Sequence, residues 1–304
     1  MFDANSMRRD FPILSRKLHR SKQLVYLDSA ATTQKPRAVL DAMTEYYTQH
    51  NANVHRGIHT LGNESTGLFH QSRQQIAHFF GADENELILV RNTTEGINAF
   101  AYMWGEKHIS DGDLVVSTEM EHHTNFVPWQ QLAKRKRAMF TAVHVDNNGE
   151  LDLNHLEKLL KTKKVKLIAV VHVSNAIGTI NPIEKIVEIS HKYGAKVIID
   201  GAQSASHIPI DFHALGCDAY AFSGHKMLGP MGIGGLLIRA NLFEELQPYV
   251  FGGGMIDSVS IEETTFAELP DQFIAGTPDV ASTVGLAAAC KYLNMVGMKE
   301  VFYH

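Results

Sequence analysis

The sequence predicts an α/β domain in which helices cover both faces of a mainly parallel sheet. Short runs rich in Val, Ile and Leu alternate with longer segments whose apolar residues recur at helical spacing. Most of the short runs are apolar almost without interruption, the pattern of strands covered on both sides. A length of 304 residues, 44% hydrophobic and 20% charged, is ample for a large core and excludes a disordered chain.

In chain order, helical spacing predicts helices over 37–49 and 64–80, and the run L-I-L-V-R predicts a strand over 87–91. The helix expected over 95–104 shows the pattern well: Ile97, Phe100, Ala101 and Trp104 fall at i, i+3, i+4 and i+7 and make one stripe. A strand over 114–117 and a helix over 124–137 follow. That helix ends in Lys134, Arg135, Lys136 and Arg137, cations that suit the carboxyl end of a helix dipole better than they suggest a nucleic-acid patch. Strands are then expected over 140–145, 167–173, 196–200, 219–223 and 233–239, with helices over 153–161 and 183–193 between them. The run F-G-G-G-M at 251–255 breaks the alternation, its glycines letting backbone run close to a neighbour, and a loop-like stretch reaches about residue 279. A last helix is expected over 280–296.

A net charge of −5 argues against a dedicated nucleic-acid binder. The two cysteines, Cys217 and Cys290, are too few for a disulfide framework and fit a reducing compartment. No run of about 18 apolar residues is present, and the start M-F-D-A-N-S-M-R-R-D lacks the apolar core of a signal peptide. The expectation is a cytoplasmic protein without a membrane or nucleic-acid partner. His55 and His59 have metal-like spacing, but Gly57 separates them and no third ligand is evident, so no metal is expected. Glycines 252–254 lack the strand and helix of a dinucleotide site.

The segment from Lys196 to Gly232 is the richest in chemistry. Asp200 closes an apolar strand at the sheet edge where open α/β domains bind ligands, and a carboxylate there is costly unless it meets a cation. Ser223-Gly224-His225-Lys226 follows another strand and places a lysine on the same edge. A partly desolvated lysine has a lowered pKa and attacks aldehydes, and an aspartate opposite it suits a pyridine nitrogen that must stay protonated; pyridoxal phosphate (PLP) needs both. Each residue alone has a plainer reading, a surface lysine or a capping aspartate; the pair on one edge favours the shared ligand. Arg91-Asn92-Thr93-Thr94-Glu95-Gly96 offers free backbone N–H groups and two hydroxyls to a phosphate at a helix start, though taken by itself an ordinary N-cap is the better reading. Within Glu121-His122-His123-Thr124-Asn125, a histidine just beyond a strand can stack on a flat ring and exchange protons near neutral pH.

At this point the chain resembles a known family, the Suf-type cysteine desulfurases of the class V aminotransferase-like, fold-type I PLP enzymes. The matching strings are Y-L-D-S-A-A-T-T-Q-K-P (26–36), V-H-R-G-I-H-T-L (54–61), T-T-E-G-I-N (93–98), E-H-H-T-N-F-V-P-W (121–129), H-V-S-N-A-I-G-T (172–179), D-G-A-Q (200–203), F-S-G-H-K-M-L-G-P-M-G-I-G (222–234) and A-G-T-P (275–278). They keep the family's order and span nearly the whole chain. The resemblance implies a three-layer fold-type I large domain over 26–280, after an N-terminal segment 1–25, with 281–304 starting the helix that leads to a small C-terminal domain.

The resemblance also implies roles. Lys226 anchors the cofactor and shuttles the substrate α-proton; Asp200 pairs with the ring nitrogen; Gln203 bonds the phenolic oxygen with Asn175 close by; and His122 stacks on the ring as acid or base. Thr93, Thr94, Ser223 and His225 hold the phosphate, joined by Thr277 from the other subunit of a homodimer, while His55 and Arg56 line the substrate entrance. The implied reaction converts L-cysteine to L-alanine and delivers persulfide sulfur, through an acceptor of the SufE/SufU type, to iron–sulfur cluster assembly. The family's cysteine nucleophile and carboxylate-binding arginine lie in a segment resembling R-T-G-H-H-C, and the sequence contains no such string. Cys217 and Cys290 both read as buried packing residues. After A-G-T-P the family's usual glycines are replaced by Asp279-Val280-Ala281-Ser282. The expectation is therefore a chain that lacks the small domain and does not release sulfide at a useful rate. The alternatives are a non-catalytic paralogue that binds PLP or only dimerises, and a selenocysteine lyase, aminotransferase or kynureninase-like enzyme of the same superfamily.

Overall fold

Seven strands form one sheet in a computed structural model that describes residues 3–55 and 58–304. They are β1 (Leu87–Val90), β2 (Leu114–Thr118), β3 (Met139–Val143), β4 (Val165–Val171), β5 (Lys196–Asp200), β6 (Ala219–Ser223) and β7 (Gly234–Ile238). Their order across the sheet is β1-β7-β6-β5-β4-β2-β3. The pairs β2–β3, β2–β4, β4–β5 and β5–β6 are parallel, and only β7, inserted between β1 and β6, runs against its neighbours. Parallel neighbours need long crossovers, and the helices supply them.

Alternate residues of each strand serve two separate cores, so the sheet is the middle of three layers. Val115, Leu167, Ala169, Ile198, Ala221 and Leu236 face α3 (Thr93–Phe100) and α4 (Val127–Lys136), where the predicted stripe Ile97, Phe100, Ala101 and Trp104 is buried. Val116, Ile168, Val170, Val197, Ile199, Tyr220 and Phe222 face the other way, onto α2 (Thr60–Phe79), α5 (Leu153–Thr162), α6 (Ile183–Lys192) and α7 (Val280–Val296). Two-sided burial is why these strands read as continuous apolar runs. Helix α7 packs on α2 and on α1 (Arg37–Glu45), and Tyr292 in it donates to Asp10 at 2.7 Å.

Element boundaries differ from expectation where side chains intervene. The strand expected over 167–173 ends at Val171, whose N–H goes to the Glu121 carboxyl, and Val173 instead pairs with Ile180 in an isolated bridge. The strand expected over 140–145 ends at Val143, and Val145 bridges Leu151 across a turn. The helix expected over 95–104 starts at Thr93, where the Asn92 side chain accepts from Glu95 N–H, and continues past Phe100 through a π turn. Pro128 in its first turn and the short turn His123–Asn125 move the start of α4 to Val127. The stretch read as a loop contains a hairpin, β8 (Ile256–Val259) and β9 (Thr264–Phe266). Its residues are almost all exposed, so no apolar alternation marks it. Among the described residues no helix is long and apolar enough to cross a membrane.

Candidate active site

The carboxyl ends of β4, β5 and β6 open onto a cleft of about 470 Å³. Its lining brings together Thr93, Thr94, His122, Asn175, Asp200, Gln203, Ser223, His225 and Lys226. Strand ends deliver most of them, because in a parallel sheet every strand leaves its next residue at the same edge.

Asp200 is the last residue of β5 and is buried. Burial pushes its carboxyl above the usual range, while Ala202 N–H and the charges of Lys226 and His122 pull it back. Ala202 N–H, 2.9 Å from Oδ1, is the one protein donor bonded to this carboxyl among the described residues. The chain leaves Asp200 through Gly201, where a Cβ would collide with the Tyr220 ring.

Lys226 sits in the single turn Gly224–Lys226 that follows β6. Burial lowers its pKa and the Asp200 charge opposes that. The turn is held from outside by the segment 30–35. The His225 carbonyl accepts from Thr33 N–H at 3.0 Å and from Lys35 Nζ at 3.0 Å; Leu228 N–H donates to Thr33 Oγ1 at 2.9 Å; and Gln203 Nε2 donates to the Ala30 carbonyl at 2.8 Å. Leu228 takes up a left-handed conformation, φ 65°, within this clamp. Burial lowers the Lys35 amine to about 8.

The start of α3 forms the other wall. Thr93 N–H and Oγ1 lie 2.8 and 2.7 Å from Ser223 Oγ, and Thr94 Oγ1 lies 2.9 Å from Thr124 Oγ1. Asn92 takes the Glu95 N–H, and among the described residues the N–H of Thr94 in the first turn has no protein acceptor. Gly234 lets β7 approach this turn: a Cβ there would lie 3.1 Å from Asn92 Cα and would strike the Phe222 carbonyl. His122 Nδ1 accepts from Thr124 N–H at 3.2 Å, which leaves Nε2 to carry the proton of the neutral ring.

Two predicted residues lie elsewhere. Thr277 and His55 line a smaller hollow of about 180 Å³ beside Gly253 and Gly254, where Thr277 Oγ1 meets Asn53 Oδ1 at 3.4 Å. Arg56 lies outside the described residues. Thr124, Thr33, Lys35 and Glu121 belong to the supporting structure although residue patterns gave them no role; Glu121 and Thr124 lie in the segment singled out for its histidine, and Thr33 and Lys35 in a string that only the resemblance had singled out. Cys217 and Cys290 are fully buried, and burial pushes both thiols far up.

A lysine amine and a buried carboxyl facing one cleft, beside a hydroxyl-lined helix start at the carboxyl edge of a mainly parallel sheet, define a fold-type I PLP enzyme. The site fits the cofactor: the carboxyl has bonding capacity to spare, the amine is depressed toward its nucleophilic form, and the helix start offers donors sized for a phosphate. Residues 25–304 match the class-V aminotransferase family. A probable cysteine desulfurase of Streptomyces coelicolor is 46% identical over 309 residues, covering all of this chain and 74% of its own length. The apo structure of a cysteine desulfurase from Thermococcus onnurineus superposes with a TM-score of 0.92 at 38% identity, over 98% of this chain and 72% of that one. A solved structure described as SspA in complex with cysteine aligns with a TM-score of 0.76 at 25% identity, over 88% of this chain and 73% of that one. The chain belongs to the class-V aminotransferase family of PLP enzymes and, within it, stands with the cysteine desulfurases.

Proposed function

We propose that this protein is a cysteine desulfurase of the Suf type, of the class that converts L-cysteine to L-alanine and passes the sulfur on as a persulfide to a SufE/SufU-type acceptor in the cytoplasm, but that these 304 residues, with both cysteines sealed in the core, do not carry the sulfur by themselves. The observation that carries the reading is the pairing of Lys226 with Asp200 in one cleft, each acting on the other's charge. Cysteine bound in one structural relative supports the substrate, and the string order along the chain supports the subfamily.

Lys226 would anchor the cofactor, Asp200 would meet its ring nitrogen, Gln203 and Asn175 its phenolic oxygen, and His122 the ring face. Thr93, Thr94, Ser223 and His225 would hold the phosphate with Thr277 from a second copy, and His55 and Arg56 would line the entrance. Bound PLP supplies an electron sink for the bonds broken at the substrate's α-carbon. The remaining steps fall to the protein. Lys226 Nζ, its pKa lowered by burial, takes the α-proton and returns it. The Asp200 carboxyl would hydrogen-bond the ring nitrogen and so oppose loss of its proton. His122 presents an Nε2–H that can give its proton to a group above it and take it back once given. Neither Cys217 nor Cys290 is the thiol that takes the sulfur, because both are sealed in the core.

The test is borohydride reduction of the PLP-loaded protein followed by peptide mass analysis. The expected result is the cofactor's mass on the peptide containing Lys226 and none in Lys226→Ala; cofactor mass on a different lysine would overturn the assignment.

A further inference from the structure

Glu121 sits next to the residue proposed to stack on the cofactor, and it is held far more tightly than its neighbour. Its Oε1 accepts from Thr118 Oγ1 and from Val171 N–H, both at 2.7 Å, and its Oε2 accepts from Asn125 Nδ2 at 2.7 Å. The orientation of Asn125 is not free. Trp129 Nε1–H, which can only donate, bonds Asn125 Oδ1 at 2.9 Å, so the amide must turn its NH₂ toward the carboxyl. Trp129 is fully buried and so is Asn125. Asn125 also takes hold of His122 itself, its N–H donating to the His122 carbonyl at 2.8 Å. At the other end, Val171 pairs in register with Asp200 on the neighbouring strand, and pairing of β4 with β2 has already ended at Ile168. The carboxyl therefore fills the place of a missing strand partner and ties the His122 loop to the strand end beside Asp200.

We propose that Glu121 is a positioning residue for His122: a carboxyl accepting on both oxygens, fixed in polarity by Trp129 through Asn125, sets the plane and depth of the histidine ring relative to Asp200. The proposal rests on the cofactor reading above. Burial, with the Asp200 charge adding to it, raises the Glu121 carboxyl to about 8, yet no cation approaches it among the described residues. Hydrogen-bond polarity is thus its contribution, and a well-packed polar network of this kind tolerates no reversed member.

That logic can be inverted. Glu121→Gln puts an NH₂ group against the NH₂ of Asn125, two donors facing one another. Adding Asn125→Asp restores complementarity: the introduced amide keeps its oxygen toward Thr118 and Val171 and donates to the introduced carboxylate, whose other oxygen still accepts from Trp129. Shape and the number of carboxyl groups are those of the starting protein. Two readouts are taken. In the cofactor-free protein the chain's two tryptophans give two indole N–H resonances, assignable with Trp129→Phe. In the PLP-loaded protein, visible circular dichroism reports how asymmetrically the ring is held. Glu121→Gln is expected to shift the Trp129 resonance, to lose most of the induced dichroism at unchanged cofactor stoichiometry, and to slow exchange of the cysteine α-proton with solvent on the order of tenfold with cysteine affinity little moved. The double variant is expected to return both spectroscopic signals, and to do so even if the single variant fails to fold. A double variant as impaired as Glu121→Gln, or a Glu121→Gln protein indistinguishable from wild type, overturns the proposal. Failure of the wild type to bind PLP would instead remove the cofactor reading, while the indole resonances would still report on the network.

Discussion

Asp200 and Lys226 make opposite demands on each other. Burial favours the neutral form of each, and the charge of each stabilises the charge of the other. Asp200→Asn is therefore expected to lower the Lys226 pKa further while removing the partner of the ring nitrogen. Borohydride trapping should persist to lower pH, but exchange of the cysteine α-proton with solvent should slow by about a hundredfold, ~3 kcal/mol in the barrier, measured by NMR. A second residue governs stability. Burial lowers His172 from 6.5 to about 4, so the unfolded chain binds a proton that the folded protein refuses. Its contribution is complete above pH 6.5 and is lost as the pH falls toward 4. Between pH 7.5 and 5 the loss should be about 2 kcal/mol, and urea midpoints of His172→Phe should lack that part of the acid sensitivity. Cys217→Ala with Cys290→Ala should leave PLP binding unchanged and cost only core packing, about 1–2 kcal/mol by denaturation.

At the scale of elements, the cleft depends on three short connections drawn close together. The start of α3 is admitted by Gly234, the exit of β5 by Gly201, and the turn bearing Lys226 is clamped by the segment 30–35. Gly234→Ala should push β7 away from Asn92 and spoil the hydroxyl pairing of Thr93 with Ser223. We expect destabilisation of about 2 kcal/mol and PLP affinity weakened about tenfold, read by urea denaturation and equilibrium dialysis. The steric cause is specific, since Gly234 does not occupy the left-handed region.

At the scale of the whole molecule, one chain separates Thr277 from the cleft that contains Lys226. Thr277 is exposed, as is Phe251, which precedes the glycines beside it. A second copy that supplied Thr277 would complete the phosphate site. The consequence is complementation: Lys226→Ala and Thr277→Ala chains, each impaired alone, should on mixing regain PLP affinity at one site in the mixed dimer. Gel filtration and dialysis of the mixture check this, and strict additivity of the two defects is the contrary result.

The sequence by itself determined the layered architecture and the edge at which chemistry is placed. Strands buried on both faces must be apolar throughout, and a polar residue closing such a run, as Asp200 closes K-V-I-I-D, can only lie at an end. Lys226 was legible for the same reason. Tertiary structure decided what lies behind those residues. The Glu121 carboxyl meets Val171 fifty residues later, and Lys35 meets the His225 carbonyl across 190 positions. It also decided that His55 and Thr277 share a separate hollow, and that an exposed hairpin fills a stretch that reads as a loop. Periodic burial is written among near neighbours in the chain, whereas the path of each crossover, which decides which distant donor reaches which acceptor, is settled only when the layers pack.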